Sequence, residues 1–293
     1  MRIKMREIQE KAYAKLNISL DVTGRRPDGY HDMVMVMQTV SLCDRLKISL
    51  DDSGSVRART NLHFIPGDER NLAVKAANCY FDAIGRAGQG AMIEIEKNIP
   101  VGAGMAGGST DAAAVLRGLD RLYGGRLGRE ALTELAAGVG SDVAFCVAGG
   151  TALATGRGEK LRPLPDMPPC SFVICKPDFS ISTPELFRKL DQISLRAHPD
   201  TAGIIRALEQ GQLRELCRRM YNVFEDVDDR RMRTVYEIKS ILLDEGALGA
   251  IMTGTGSAVF GVFPPEGRAE RAVAALERDY GFACRASAVG CLF

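Results

Sequence analysis

Between Ala12 and Val22 apolar and polar residues alternate without a break: Ala12, Ala14, Leu16, Ile18, Leu20 and Val22 form one row, and Tyr13, Lys15, Asn17, Ser19 and Asp21 the other. An extended chain points successive side chains to opposite sides, so this spacing predicts a strand with one face on a core and the other toward water. A turn at Pro27-Asp28-Gly29, an apolar run from Met33 to Leu42, and Leu46, Ile48 and Leu50 at period two predict that the N-terminal part is rich in sheet.

Further along, the signals become helical. Asn71 is a candidate N-cap for a helix to about Ala87, with Leu72, Ala76, Tyr80 and Ile84 near helical spacing. A strand is expected from Ala91 to Lys97, and a helix from Thr110 to Tyr123, stopped by Gly124-Gly125. Another helix near Arg129 to Ala137, a short one after Ser141-Asp142, and a strand from Thr151 to Thr155 precede the Pro-rich stretch Arg162 to Pro169, which reads as a domain link. Beyond it we expect a strand at Ser171 to Cys175, helices near Pro184 to Ile193, Thr201 to Met220 and Asp229 to Glu245, a strand pair across Thr253 to Ser257, a helix from Gly267 to Tyr280 and a last strand. That order predicts an α+β second domain.

Length and charge narrow the function. A chain of 293 residues exceeds the usual single core, so two domains sharing a cleft are expected. With 38 basic and 37 acidic residues the net charge is +1, which gives no electrostatic footprint for nucleic acid or an anionic membrane, and a small molecule is the better partner. Met1 to Lys11 alternates charges instead of leading into an apolar signal, and no run is long enough to span a membrane, so a cytoplasmic protein is predicted. The eight cysteines, scattered from Cys43 to Cys291, form no CxxC pair, and His31, His63 and His198 complete no zinc spacing; they read as reduced thiols filling space.

Chemistry concentrates in Pro100-Val101-Gly102-Ala103-Gly104-Met105-Ala106-Gly107-Gly108-Ser109-Thr110. Gly102, Gly104 and Gly107 satisfy a formal G-x-G-x-x-G, but a helix follows where a dinucleotide fold would continue to a strand and an acid. No lysine precedes Ser109 as a P-loop requires. What remains is a glycine-rich turn delivering bare amides onto a helix start, an anion site suited to phosphate. A side chain at Gly104 is expected to obstruct approach to that backbone. The competing reading is a linker or packing loop, with Ser109 and Thr110 as simple caps.

This loop, the early Ala14-Lys15-Leu16-Asn17 and the late Met252-Thr253-Gly254-Thr255-Gly256-Ser257 resemble, in order and spacing, the three signature motifs of the GHMP kinases. The match spans nearly the whole chain. Ala106 departs from it, standing where glycine is usual, and so does Ser257-Ala258, where a proline or other small residue often follows. Arg26-Pro27-Asp28-Gly29-Tyr30-His31, with Gly140-Ser141-Asp142-Val143 and Thr183-Pro184-Glu185-Leu186-Phe187, resembles segments of the GHMP kinases that phosphorylate a cytidyl-diphospho sugar alcohol on the non-mevalonate route to isoprenoid precursors.

The resemblance implies an N-terminal ATP-binding domain (1–163) like domain 2 of ribosomal protein S5 and a ferredoxin-like C-terminal domain (164–293), with the active site between them. It also implies ATP and Mg²⁺. On that basis Asp142 accepts the hydroxyl proton and Lys15 stabilises phosphoryl oxygens; by residue type alone they would read as a helix cap and a surface lysine. Lys97 and Asn71 are expected near the nucleotide, or else as a surface residue and a cap. Asn17, Tyr30, His31, Thr183 and Phe187 are expected at the acceptor, with Tyr30 and Phe187 sandwiching a cytosine whose edge His31 binds; the alternative is a closed turn and a packed helix. A homoserine- or mevalonate-type kinase, or a nucleotide-binding regulator without turnover, are the rival functions. Sequence says nothing of oligomeric state.

Overall fold

The computed structural model describes residues 6–195 and 197–293, so part of the charge pattern read at Met1 to Lys11 lies outside the described residues. The alternating segment is strand β1 (Glu7–Arg25), which turns tightly into β2 (His31–Asp51). The two pair antiparallel with register shifts between Tyr13 and Lys15, Asn17 and Ser19, and Val22 and Gly24. An extra residue at such a shift turns the strand over. The apolar row therefore serves two cores. Ala12, Leu20 and Val22 join the cluster that includes helical residues such as Ala77 and Leu116, whereas Ala14, Leu16 and Ile18 join Phe172, Ile174, Phe260 and Val262 of a second sheet.

Nor does the polar row face water. Lys15, Asn17, Ser19 and Asp21 are 5%, 0%, 0% and 7% exposed. The half-exposed sheet expected here is corrected: alternation separates side chains into two rows, but bulges and neighbouring layers decide what covers each row.

β2 is the hub of a seven-stranded sheet. Its second part pairs with β4 (Gly90–Glu96), which carries β3 (Val56–Thr60) on its other edge, and its first part pairs with β5 (Thr151–Gly156), which continues into β6 (Lys160–Pro163). The expected linker from Arg162 thus begins inside a strand. The second sheet has the order β11 (Phe282–Ser287), β7 (Ser171–Lys176), β10 (Val259–Phe263), β9 (Gly249–Met252), all antiparallel. Tyr221–Asn222, a short strand β8, crosses back to pair with β1.

Helices α1 (Leu72–Ala83), α2 (Gly107–Leu122), α3 (Gly128–Val139) and α4 (Val143–Ala148) follow the first sheet's strands. In the second half come α5 (Thr183–Leu190), α6 (Thr201–Glu209), α7 (Leu213–Cys217), α8 (Met232–Asp244) and α9 (Ala269–Tyr280). The single helix expected from Thr201 to Met220 breaks at Gly211, whose φ of +65° is outside helical space. The strand pair expected across Thr253 to Ser257 flanks that segment instead, as β9 and β10. Among the described residues no helix is long and apolar enough to cross a membrane. The eight cysteines are unpaired.

Candidate active site

Two cavities meet where the sheets and helices converge. One, of about 540 Å³, is walled by the glycine loop, by Lys15 and Asn17 of β1, by Asn71 and by Gly254 to Gly256. The other, of about 610 Å³, is walled by Tyr30, His31, Arg157 and α5. They share Met33, Leu72, Ser109, Asp142, Thr183 and Phe187.

Beside the shared Asp142 stands Lys15, in the wall of the first cavity. Its ammonium donates to Asn17 Oδ1 (2.6 Å) and to the Gly104 carbonyl (2.9 Å), and lies 3.8 Å from Asp142 Oδ2. Lys15 is 6% exposed and Asp142 29%, so the cation is buried while the carboxylate looks into the space. The Asn17 backbone N–H donates to Thr253 Oγ1 at 3.0 Å, so the early strand, glycine loop and late loop are tied at one point. The amide of Asn222, donating to the Met252 and Gly254 carbonyls at 2.8 Å each, holds the late loop from behind, and Glu225 Oε1 accepts the Met252 N–H at 2.7 Å.

The glycine loop begins α2 earlier than expected, at Gly107. The first helical hydrogen bond from this turn runs from Thr110 N–H to the Ala106 carbonyl (2.9 Å), which leaves the amides of Gly107, Gly108 and Ser109 as the helix's unpaired start. Ala106 caps the helix at φ 59°, ψ 30°, a left-handed conformation that a side chain adopts at a cost of about 1 kcal/mol. The glycine usual at this position would carry no such strain. At Gly104 the expectation needs correction: φ is +75°, and a Cβ there would sit 2.1 Å from the Thr253 carbonyl oxygen. Glycine is required at this position by loop packing against loop. Gly108 differs, since a Cβ would meet only Leu72 Cδ1 at 3.7 Å.

Behind the loop, Lys97 is buried between two acids. Its ammonium donates to Asp44 Oδ2, to Asp111 Oδ2 at 2.6 Å and to the Gly107 carbonyl at 3.3 Å. An ammonium has three protons, so all are committed within the protein, and Lys97 anchors the loop instead of reaching outward as expected. Burial pushes Asp111 up to about 8, with Lys97 pulling the other way and Asp44 adding to the rise. Burial works against the Lys97 charge, but the two carboxylates outweigh it and hold its pKa above the ordinary value. Asp111 Oδ1 has no hydrogen-bond partner among the described residues.

Chain matches then identify the scaffold. The family model "GHMP kinases N terminal domain" matches residues 71–150, and "GHMP kinases C terminal" matches residues 204–281. A 4-diphosphocytidyl-2-C-methyl-D-erythritol kinase of Bacillus subtilis is 46% identical over 90% of this chain and 91% of its own. The chain belongs to the GHMP kinases. A second kinase of that name, from Syntrophomonas wolfei, is 44% identical over 94% of this chain and 96% of its own. A solved 4-(cytidine 5'-diphospho)-2C-methyl-D-erythritol kinase superposes with a TM-score of 0.78 at 34% identity, covering 97% of this chain and all of that one. A homoserine kinase of Cytophaga hutchinsonii reaches the same TM-score at 20% identity, covering 99% of this chain and 97% of its own, a likeness of fold alone.

Within this GHMP kinase, the residues from Pro100 to Ser109, together with Lys15, Asn17, Asn71, Lys97, Asp142, Thr183 and Phe187, line the first cavity. Thr110 does not: it is 1% exposed and donates to the Gly107 carbonyl at 2.9 Å, bonding back onto the first turn of its own helix. Asn71 accepts from Ala73 N–H (3.0 Å) and donates to the Pro66 carbonyl (2.9 Å), so it caps α1 and holds the preceding loop while forming cavity wall. Asn17 is wholly buried and orients Lys15.

Around the second cavity, where Tyr30 and Phe187 are expected to take a cytosine between them, Phe187 is packed by rings of the protein itself. His31 stacks on Phe187 at 4.6 Å and 26°, its Nε2 is 2.7 Å from Asp191 Oδ1, and Phe224 meets the Phe187 ring edge-on at 4.9 Å. Tyr30 stands 56% exposed, with the Arg157 guanidinium 5.0 Å from its ring centroid. Thr183 and Thr255 join their hydroxyls at 2.8 Å across the seam. Asp44, Asp111, Asp191, Asn222 and Arg157 were missed from sequence. A signal existed only for Asp191, one helical turn beyond Phe187.

Proposed function

We propose that this kinase transfers the γ-phosphoryl group of ATP to the 2-hydroxyl of 4-diphosphocytidyl-2-C-methyl-D-erythritol. The observation that carries this reading is the Lys15–Asp142 pair at 3.8 Å on the seam between the two cavities. There a nucleotide held on the glycine-loop amides and an alcohol lying toward Tyr30 and His31 would meet. The family supports ATP as co-substrate, and the relatives of the same size support the acceptor.

In this reading Asp142 accepts the proton as the hydroxyl oxygen bonds to phosphorus and the bond to the ADP oxygen breaks. Lys15, fixed by Asn17 and Gly104 before any substrate arrives, stabilises the charge on the transferring oxygens. Among the described residues no group of three His, Cys, Asp or Glu is arranged for a metal. The donors present fit Mg²⁺ carried mainly by ATP phosphates and water, with the Ser109 hydroxyl at the helix start as the adjoining protein oxygen. When bound, the ion would neutralise phosphate charge. His31, held by Asp191 through Nε2, keeps Nδ1 for the edge of a cytosine.

The finer architecture is also our reading. The strand order β11-β7-β10-β9, with helices after β7 and after β10 and a direct link from β9 to its antiparallel neighbour β10, supports a ferredoxin-like second domain, and the hub arrangement of β2 supports an S5 domain 2-like first domain. A division at 163/164 follows, with β8 and the C-terminal bridges Val40–Ala288 and Gly149–Cys291 crossing it. ATP-dependent metabolism suits action in the cytoplasm.

An acceptor screen with Mg-ATP over this substrate, its uridine analogue, mevalonate and homoserine tests the function. The cytidyl compound should be turned over, and the uridine analogue should lose about 5- to 150-fold in kcat/KM, because a mismatched base leaves a polar group unpaired. Preference for mevalonate or homoserine would overturn the reading.

A further inference from the structure

Arg157 has no task in the account above, yet it lines the second cavity together with Tyr30, His31 and Asp142. It sits in the tight hairpin between β5 and β6, where Gly156 (φ +70°) and Gly158 (φ +113°) turn the chain and Glu159 Oε2 accepts the Arg157 N–H at 2.7 Å. The backbone is pinned. At Gly158 a Cβ would stand 3.7 Å from Asp142 Oδ1, so the hairpin tip lies against the carboxylate assigned to the hydroxyl. From that tip the guanidinium extends to the Tyr30 ring, 5.0 Å from its centroid.

Charge points the same way. Three arginines, Arg25, Arg157 and Arg188, line this cavity against two carboxylates, Asp142 and Asp191. Both carboxylates are engaged, Asp142 with Lys15 and Asp191 with His31. The acids of the neighbouring turn, Asp28 and Asp32, are paired with Arg26 at 3.3 and 2.9 Å. No ion pair engages Arg157 among the described residues; it rests against the Tyr30 ring, and its charge also acts on the Asp28 carboxylate that Arg26 already pairs. A cation stacked on an aromatic face keeps the edge of its planar fork free, and that edge matches phosphate oxygens in pairs.

We propose that Arg157 binds the diphosphate of the acceptor, fixing the distance between a base at Tyr30 and His31 and an alcohol at Asp142. The inference rests on the acceptor reading above. It makes Arg157 a specificity-determining residue that acts on binding and leaves the chemical step alone.

Titration calorimetry with CDP and with cytidine separates the two ideas. Wild type should bind CDP more tightly than cytidine. Arg157→Met should weaken CDP by about 10- to 100-fold, the usual worth of a charge-assisted contact, while cytidine binding stays the same. Arg157→Lys should recover part of the loss. In turnover, Arg157→Met should raise the acceptor KM and leave kcat and the ATP KM within about threefold. Unaltered CDP affinity in an Arg157→Met protein with a wild-type melting profile would overturn the proposal, as would equal weakening of CDP and cytidine. Wild-type protein that binds neither ligand would instead remove the acceptor reading, and the arginine's role with it.

Discussion

The two cavities are built from different materials. The cavity proposed for the nucleotide is built largely on backbone: glycines at positive φ, a helix start with unpaired amides, and loops packed so closely that a Cβ at Gly104 would collide with the Thr253 carbonyl. The acceptor side is made of side chains, several at the surface: Tyr30, Arg157, and a His31 ring turned by Asp191. A half built on packed loops tolerates little change where loop meets loop, as at Gly104, and more where a glycine has room, as at Gly108. The side-chain-built half can be altered one group at a time. The homoserine kinase likeness at equal TM-score shows that the fold itself is shared by chains only 20% identical.

The sharpest break in that contrast is at the seam. Asp142→Asn should lower kcat by about 10²- to 10⁴-fold with ATP affinity unchanged, since the variant keeps shape and loses the proton acceptor. The Asp142 side chain makes no capping hydrogen bond to α4, so stability should hold. Near-wild-type turnover, measured at saturating substrates, would remove Asp142 from the chemistry.

Within the backbone-built half, two valines should behave differently. Gly104→Val forces a collision and a left-handed side chain, and should destabilise by about 3 kcal/mol or more in urea unfolding. Gly108→Val has room beside Leu72, so it should fold and weaken ATP by obstructing the helix amides. If both variants folded normally and bound ATP alike, the loop would not be a phosphate cradle. On the other side, Tyr30→Ala should weaken the acceptor by about 1 to 3 kcal/mol if a base stacks there, with ATP binding and melting temperature untouched. Loss of ATP affinity in that variant would erase the division between halves.

A smaller effect is expected at Asp111. Its folded pKa lies above its unfolded value, so the stability this proton supplies is complete below about pH 4 and is lost as pH rises through about 8. Asp111→Asn removes that dependence. Unfolding free energies across this window should therefore fall less steeply with pH in the variant, and parallel curves would assign the proton elsewhere. The least change should come from Ala106→Gly: relief of the left-handed strain and the added freedom of glycine in the unfolded chain oppose each other, leaving a net shift within about 1 kcal/mol by thermal melting.

Legibility from sequence followed the same division. Asn71 as a cap, the glycine loop running into α2, and the long β1–β2 hairpin could be read because each rests on neighbours in the chain: a hydrogen bond two residues on, a turn, a period of two. Lys97 could be read only in part. Its place before the glycine loop put it near that cavity, which it lines, while its partners Asp44 and Asp111 come from β2 and α2, and no local pattern announces that a cation and two acids will be buried together. Arg157 was missed for the same reason, since its meaning depends on Tyr30 and Asp142, each on a different element.

By itself, then, the sequence determined most of the elements and the turn that carries the bare amides, though not the break at Gly211 or the place of β9 and β10, because periodicity, turns and caps are local energies. It also carried the three motifs by which the family is known. Tertiary structure decided which way each row of β1 faces, through bulges that alternation cannot register. It decided that Gly104 answers to Thr253, that Lys97 is an anchor, and that His31 is held by Asp191 against Phe187. These are contacts between segments far apart in the chain, whose energies exist only once both segments are packed, so no residue carries them alone.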